Sequence, residues 1–272
     1  MRQQIKNLIF YTRAIEIIAR LLYYTILPIY QKFSPANGVV ALNFHEVKHD
    51  IFSEIVEHLT KNGYNIISLE TMLSCFDSKQ MPPDKSILIT FDDGCESIYT
   101  QAFPVVIQKK IPITVYLVSS RLEETITSEN HVRPEWAICR SFLSTREIKR
   151  MHYTGLVCFG SHTVSHPNLA DLSPDASDIE ISESKKRIEQ LTELPIEHFA
   201  YPYGGIKTFS ERHVAMLQKA GYKSAAANFA GVNDYDTPRY CLRRIGIGQK
   251  HSKYVVEVSM SGLLHKIAKV WH

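Results

Sequence analysis

The sequence predicts an α/β fold built on a parallel sheet, and three observations lead there. Short apolar runs alternate with longer segments of helical period. Several helical segments stop at a glycine, as Gly63, Gly155 and Gly221 do. The chain has 272 residues, 44% of them hydrophobic, which is enough for one large core. About seven or eight strand–helix units favour a barrel closed by its own strands over two separate domains.

Residues 1–37 stand apart as an amphipathic helix. Its charges, Arg2, Lys6, Arg13, Glu16 and Arg20, fall on one stripe roughly 80° wide, and the rest of the surface is apolar or uncharged. The longest charge-free run, 21–31, is short for a membrane span of about 20 residues, no signal-peptide cleavage pattern follows, and Pro28 ends or bends the helix. So wide an apolar face predicts a helix lying in a membrane interface, with packing on the body or a partner subunit as the competing reading.

Residues 38–272 form the body. The predicted strands are 39–44, 65–69, 86–91, 113–118, 156–159, 198–201, 224–229 and 241–247. The predicted helices are 51–62, 97–110, 145–153, 174–193, 208–220 and a last one near 254–270. Residues 119–144, with Trp136, read as a polar excursion of the kind that carries function at strand ends.

Charge excludes one class of partner. The chain holds 31 Lys and Arg against 28 Asp and Glu, but five of those cations and one acid lie in residues 1–37, leaving the body with 26 cations and 27 acids. Nucleic-acid binding needs a clustered cationic excess, so no nucleic-acid partner is expected. Cys75, Cys95, Cys139, Cys158 and Cys241 are odd in number and lack a C-x-x-C pair, so they read as reduced thiols, with Cys95 structural. That reading places a membrane-associated body on the cytoplasmic face.

Three strand ends carry the chemistry. Asp92 and Asp93 follow an apolar strand and precede Gly94; adjacent carboxylates repel, and a bound cation relieves the cost. Taken alone, the pair also reads as an ordinary Asp-Asp-Gly turn. His162 and His166 follow another strand with Pro167 behind them, and two imidazoles four residues apart can meet at one ion across a strand-to-loop bend. Two histidines and one aspartate make a three-ligand set with positions left open, the arrangement of a catalytic metal. His49, His58, His131, His152, His198, His213, His251 and His272 show no ligand spacing and read as surface or capping groups.

Thr90-Phe91-Asp92-Asp93-Gly94 followed by His162-Thr163-x-x-His166-Pro167 resembles the first two motifs of the polysaccharide deacetylase family, the NodB-homology domains of carbohydrate esterase family 4. The resemblance implies a distorted (β/α)7 barrel, Asp92 as general base, and Asp93, His162 and His166 as ligands of a divalent ion, Zn²⁺ first. Tyr201-Pro202-Tyr203-Gly204 is similar to a third motif, in which the Tyr203 backbone N–H helps hold the oxyanion. Ala200 departs from that motif, standing where many relatives place an arginine that orients the base; charge need points to Arg243 or Arg244 instead, Arg244 being preferred. The family's Leu-x-His acid is matched superficially by Leu263-Leu264-His265, in a Lys-rich tail without a preceding strand. Leu42-Asn43-Phe44-His45 fits better, because relatives resembling poly-N-acetylglucosamine deacetylases look circularly permuted with this strand first, so His45 is assigned as the acid for the leaving amine. Tyr201, Tyr203 and Trp136 are candidates to stack on sugar rings, with the core as their alternative place.

The expected function is metal-dependent removal of N-acetyl groups from an acetylated glycan or lipid-linked sugar at a membrane surface. Two alternatives stand beside it: a small-molecule amidohydrolase, disfavoured by the N-terminal helix, and a non-catalytic carbohydrate-binding relative, disfavoured by the intact Asp92, Asp93, His162 and His166.

Overall fold

In the computed structural model, which describes residues 2–27, 38–122 and 139–262, helix α1 (Arg2–Thr25) comes first. β1 (Val39–Phe44), α2 (His49–Lys61), β2 (Asn65–Ile66), α3 (Leu69–Asp77) and β3 (Ser86–Phe91) follow. A π-helical turn at Ile98–Ala102 runs into α4 (Phe103–Lys109), then β4 (Ile113–Leu117), α5 (Thr145–His152), β5 (Val157–Ser161) and α6 (Pro174–Thr192). Next come β6 (His198–Ala200), α7 (Glu211–Lys219), β7 (Ser224–Ala226), β8 (Val232–Asn233), β9 (Ile245–Gly246) and α8 (Lys253–Met260).

The strands form one sheet in the order β7-β6-β5-β4-β3-β1-β8, with β2 added to β3 and β9 to β1. All pairs are parallel except β1 with β8. The sheet curls on itself through one stretch of chain: Leu242 bridges to Ala226 of β7, and three residues later Ile245 pairs with Leu42 of β1. The result is the expected distorted barrel.

Strand alternation sorts the side chains into two cores. Leu42, Phe44, Ile87, Ile89 and Phe91 point outward and pack with Phe52 and Ile55 of α2, Val105 and Val106 of α4, Ile181 and Ile188 of α6, and Leu217 of α7. The opposite parity, Val39, Ala41, Leu88, Tyr116, Ala200, Ala226 and Leu242, fills the interior together with Leu69, Met72 and Leu73 of α3. Small residues are needed there: a Cβ on Gly160 would lie 2.6 Å from the Tyr116 ring and 2.7 Å from the His198 carbonyl.

Three expectations need correction. The predicted strand 65–69 stops at Ile66, because Ser68 accepts the Thr71 N–H and starts α3, a helix the hydrophobic pattern did not reveal. The predicted strand 241–247 divides into the Leu242 bridge and β9 as it crosses between two strands. Cys95 and Cys139 are not reduced thiols; they form a disulfide, with Cα atoms 5.2 Å apart. The pairing spans 44 residues and is closed by local backbone bonds from Leu143 N–H to Gly94 O and from Glu96 N–H to Ser141 O, a proximity that spacing alone cannot disclose. On α1, Glu16 accepts from the Ser252 N–H and hydroxyl at the start of α8, and the exposed Arg20 lies over the Tyr254 ring at 5.0 Å, so the helix packs on the body at these two charges. Leu22 and Leu27 pack on Val258, while Ile17, Ile18, Leu21 and Tyr24 stay exposed. Among the described residues no helix is long and apolar enough to cross a membrane. Trp136 and His265 lie outside the described residues.

Candidate active site

The chemistry-bearing residues meet at the C-terminal ends of the strands, on the parity that faces the interior. Asp92 continues the inward series Leu88, Thr90, and its N–H extends the ladder to Phe44 O at 2.9 Å. Asp93 (φ +68°) and Gly94 (φ +75°) are both left-handed and turn the chain sharply, so the two adjacent carboxylates both approach His162 instead of ending on opposite faces. A Cβ on Gly94 would also meet the Leu117 side chain at 2.9 Å.

Three hydrogen bonds from two residues grip Asp92. Arg244 donates two parallel bonds, Nη1 to Oδ1 at 2.7 Å and Nη2 to Oδ2 at 2.8 Å, and Asn43 Nδ2 donates to Oδ2 at 2.8 Å. Burial pushes this carboxyl up, but the Arg244 guanidinium, with His162 beside it, holds it well below the usual carboxylate range. Asp92 is therefore an ionised, buried carboxylate. Arg244 is itself fully buried, packed over the Tyr116 ring at 5.3 Å, with Nε donated to Ala227 O and Nη1 to Asn43 Oδ1. The absence of an arginine at 200 thus has a physical counterpart: a small Ala200 side chain sits in the interior cluster, and the cation arrives from Arg244. Arg243 points away and reaches Val232 O.

The two histidines are placed by a loop that bends twice, with Thr163 at φ +69° and His166 at φ +65°. Glu180 of α6 holds that loop by accepting from the Val164 N–H (2.8 Å), the Ser165 N–H (2.9 Å) and the Ser165 hydroxyl (2.6 Å). His162 Nδ1 donates to Ala200 O at 2.7 Å, which leaves the Nε2 lone pair facing the two carboxylates. His162 Nε2 and His166 Nε2 each stand 3.6 Å from one atom, Asp93 Oδ1. That oxygen is buried and, among the described residues, accepts no hydrogen bond. Burial pushes the imidazoles down, His162 to about 4 and His166 to about 3, so both are neutral lone-pair donors at neutral pH. Burial and the neighbouring Asp92 push Asp93 up to about 7, with Arg244 acting in the opposite sense. Two neutral imidazole nitrogens and an orphaned carboxylate oxygen converging on one point fit a divalent cation.

His45 follows β1 two residues after Asn43, on the same face. It is half-buried; burial lowers its imidazole, while Asp92 and Arg244 act on it in opposite directions. Tyr203 (φ +61°) sits in the loop after β6 with its ring 4.9 Å from that of His166 and half exposed. Its carbonyl accepts from Asn228 Nδ2, and among the described residues nothing accepts from its N–H. Tyr201 is a core residue, stacked on Phe209 with its hydroxyl donated to Tyr240 O. The structure therefore gathers Asp92, Asp93, His162, His166 and Arg244 into one cluster, with His45 and Tyr203 beside it. Sequence reasoning missed Asn43 and Glu180. Asn43 was findable, since a buried amide two residues before His45 shares its face; Glu180, inside a helix of ordinary charge pattern, was not.

The polysaccharide deacetylase family model matches residues 79–225. That span contains Asp92, Asp93, His162, His166 and Tyr203, and excludes His45 and Arg244. The chain is 25% identical over 221 residues to YxkH of Bacillus subtilis, covering 81% of this chain and 71% of that one. It is 26% identical over 211 residues to the poly-beta-1,6-N-acetyl-D-glucosamine N-deacetylase of Staphylococcus aureus, covering 73% and 68%. Among solved structures, the deacetylase PplD of Streptococcus pyogenes superposes with a TM-score of 0.70 at 21% identity, covering 84% of this chain and 99% of that one. IcaB of Ammonifex degensii gives 0.68 at 23%, covering 84% and 98%. The two structural likenesses speak for the fold.

Proposed function

Since the chain belongs to the polysaccharide deacetylase family, we propose that it hydrolyses N-acetyl groups from amino sugars in a glycan, with Asp93, His162 and His166 holding a divalent ion. One observation carries the proposal: a buried, ionised carboxylate, Asp92, is locked by Arg244 and Asn43 beside three converging donors. A binding module has no use for an ionised base kept dry in that place.

When bound, a Zn²⁺-type ion supplies polarisation of the acetyl carbonyl and a water acidic enough for a carboxylate to deprotonate. Asp92 accepts the proton of the attacking water, its orientation fixed by the Arg244 fork. The Tyr203 N–H donates to the oxyanion as the carbonyl carbon becomes tetrahedral, a contact typically worth about 3 kcal/mol of barrier. His45 delivers a proton to the departing amine, and acetate and a free amino sugar leave. Acetate release from a panel of N-acetylated and O-acetylated glycans, with and without chelator, tests this. Asp92→Asn should lower kcat about 10²- to 10⁴-fold; chelator-insensitive or Asp92-independent release overturns the reading.

The exposed Ile17, Ile18, Leu21 and Tyr24 on α1 support docking at a lipid surface, where a glycan or lipid-linked sugar is presented. Flotation with phospholipid vesicles should carry the full chain and leave Ile17→Asp/Leu21→Asp behind; equal flotation of both rejects the surface. The Cys95–Cys139 disulfide supports an oxidising compartment over the cytoplasmic face that the scattered thiols suggested. Alkylation of the freshly isolated protein should spare two of its five cysteines, and five reactive thiols would reject that compartment.

A further inference from the structure

At the opposite end of the barrel a second set of donors meets, and the catalytic reading uses none of it. Cys158 on β5, His198 at the first residue of β6 and Glu70 on α3 bring one thiol, one imidazole nitrogen and one carboxylate oxygen within 4.8 Å of one another. They line a cleft of about 400 Å³ shared with Ser68, His152 and Glu197. Strand parity puts them there: Cys158 is two interior steps before His162, and His198 is one interior step before Ala200.

The histidine is held in place. His198 is buried and its Nδ1 lies 2.9 Å from Ser224 Oγ, a contact that fixes the ring. With the Nδ1 proton donated to that hydroxyl, the Nε2 lone pair faces the cleft, the arrangement in which an imidazole serves as a ligand. Nε2 stands 3.7 Å from Glu70 Oε1, beyond hydrogen-bond reach. Two ligand atoms bound at about 2.0 Å to one tetrahedral ion are about 3.3 Å apart, so a shift of a few tenths of an ångström seats both on it. Two cations that act on His198 are already paired, Lys223 with Glu197 at 2.7 Å and Arg239 with Asp77.

We propose that Glu70, Cys158 and His198 form a second metal site, for a thiophilic divalent ion such as Zn²⁺, at the N-terminal ends of β5 and β6. Binding exchanges the Cys158 thiol proton, released to solvent, for a metal–sulfur bond. The thiolate and the Glu70 carboxylate together neutralise the 2+ charge, and the open cleft leaves the fourth position to water. The ion bridges α3 to β5 and β6 at the end of the barrel away from the sugar-facing site.

Cobalt distinguishes the two sites, because only this one contains a thiol. In full-length protein with Cys75 and Cys241 replaced by serine, Co²⁺ titration should give a near-ultraviolet sulfur-to-cobalt charge-transfer band, and equilibrium dialysis with Zn²⁺ should give two equivalents bound. Cys158→Ser should lose the band and one equivalent while keeping visible cobalt absorption and acetate release, which also reports that it folds; His198→Gln should weaken the second equivalent at least tenfold. His162→Ala should lose the other equivalent and retain the band. A single equivalent in the parent protein, no band, or a band that survives Cys158→Ser overturns the second site. Failure of the catalytic reading shows separately, as an unchanged metal content in His162→Ala.

Discussion

The two ends of the barrel use the same strands for opposite purposes. β5 places Cys158 in one layer and His162 in another, four residues or about 13 Å along the strand; β6 gives His198 to the first layer and the Ala200 carbonyl to the second. At the C-terminal end the Asp92, Asp93 and His162 cluster is dry and crowded: Asp92 and His162 are fully buried, and Asp93 nearly so. At the N-terminal end Glu70 is half exposed and the cleft opens to solvent. Between them lies a plug of small and aromatic residues, Gly160, Ala200, Ala226 and Tyr116, that keeps the two apart. The difference teaches where electrostatic strain is stored. Paired carboxylates are tolerated only where an arginine, an amide and converging donors offset them, and only the loop-bearing end of the strands supplies such partners.

Arg244 is the sharpest place to break that contrast. Arg244→Ala leaves the Asp92 carboxylate buried without its fork, which should destabilise the protein by about 3–5 kcal/mol and lower kcat at least as much as loss of the base itself. Arg244→Lys restores the charge without the two-pronged geometry and should recover stability more than rate. Urea unfolding beside acetate-release kinetics reads both. Wild-type kcat in Arg244→Ala would mean that the base is oriented by something else.

How much of this was legible beforehand follows from the range of each interaction. β1 and β3 match their predicted limits because strand alternation and apolar runs are local signals. Asp92-Asp93 and His162-x-x-x-His166 were legible because each half of the site lies within one loop. Arg244 was reachable only as a charge needed near residue 200, since the pairing that brings it to Asp92 spans 152 positions. The Cys95–Cys139 bridge and the Cys158–His198–Glu70 cluster were invisible for the same reason. Their members carry no local signature, and only the folded chain makes them neighbours.

His45 tests whether the active end extends to β1, outside the span that the family model covers. His45→Ala should reduce turnover by about 10²-fold, the lower end for loss of a general acid, with KM and bound metal unchanged. Metal content measured alongside the rate separates a lost proton donor from a collapsed site. A normal rate would confine the catalytic set to β3, β5 and β6.

The smallest effect is expected at Tyr203, and it is the most specific. The proposed role belongs to a backbone N–H presented by a left-handed residue, φ +61°, and not to the phenol ring. Glycine adopts that conformation at least as easily as tyrosine. Tyr203→Gly should therefore keep kcat within about tenfold of wild type, well short of the 10²- to 10³-fold cost of removing an oxyanion donor. Its loss should appear mainly in KM, because the half-exposed ring beside His166 is available to a sugar face. A fall in kcat as large as that of His45→Ala, with KM unchanged, would move the chemistry from the main chain to the ring.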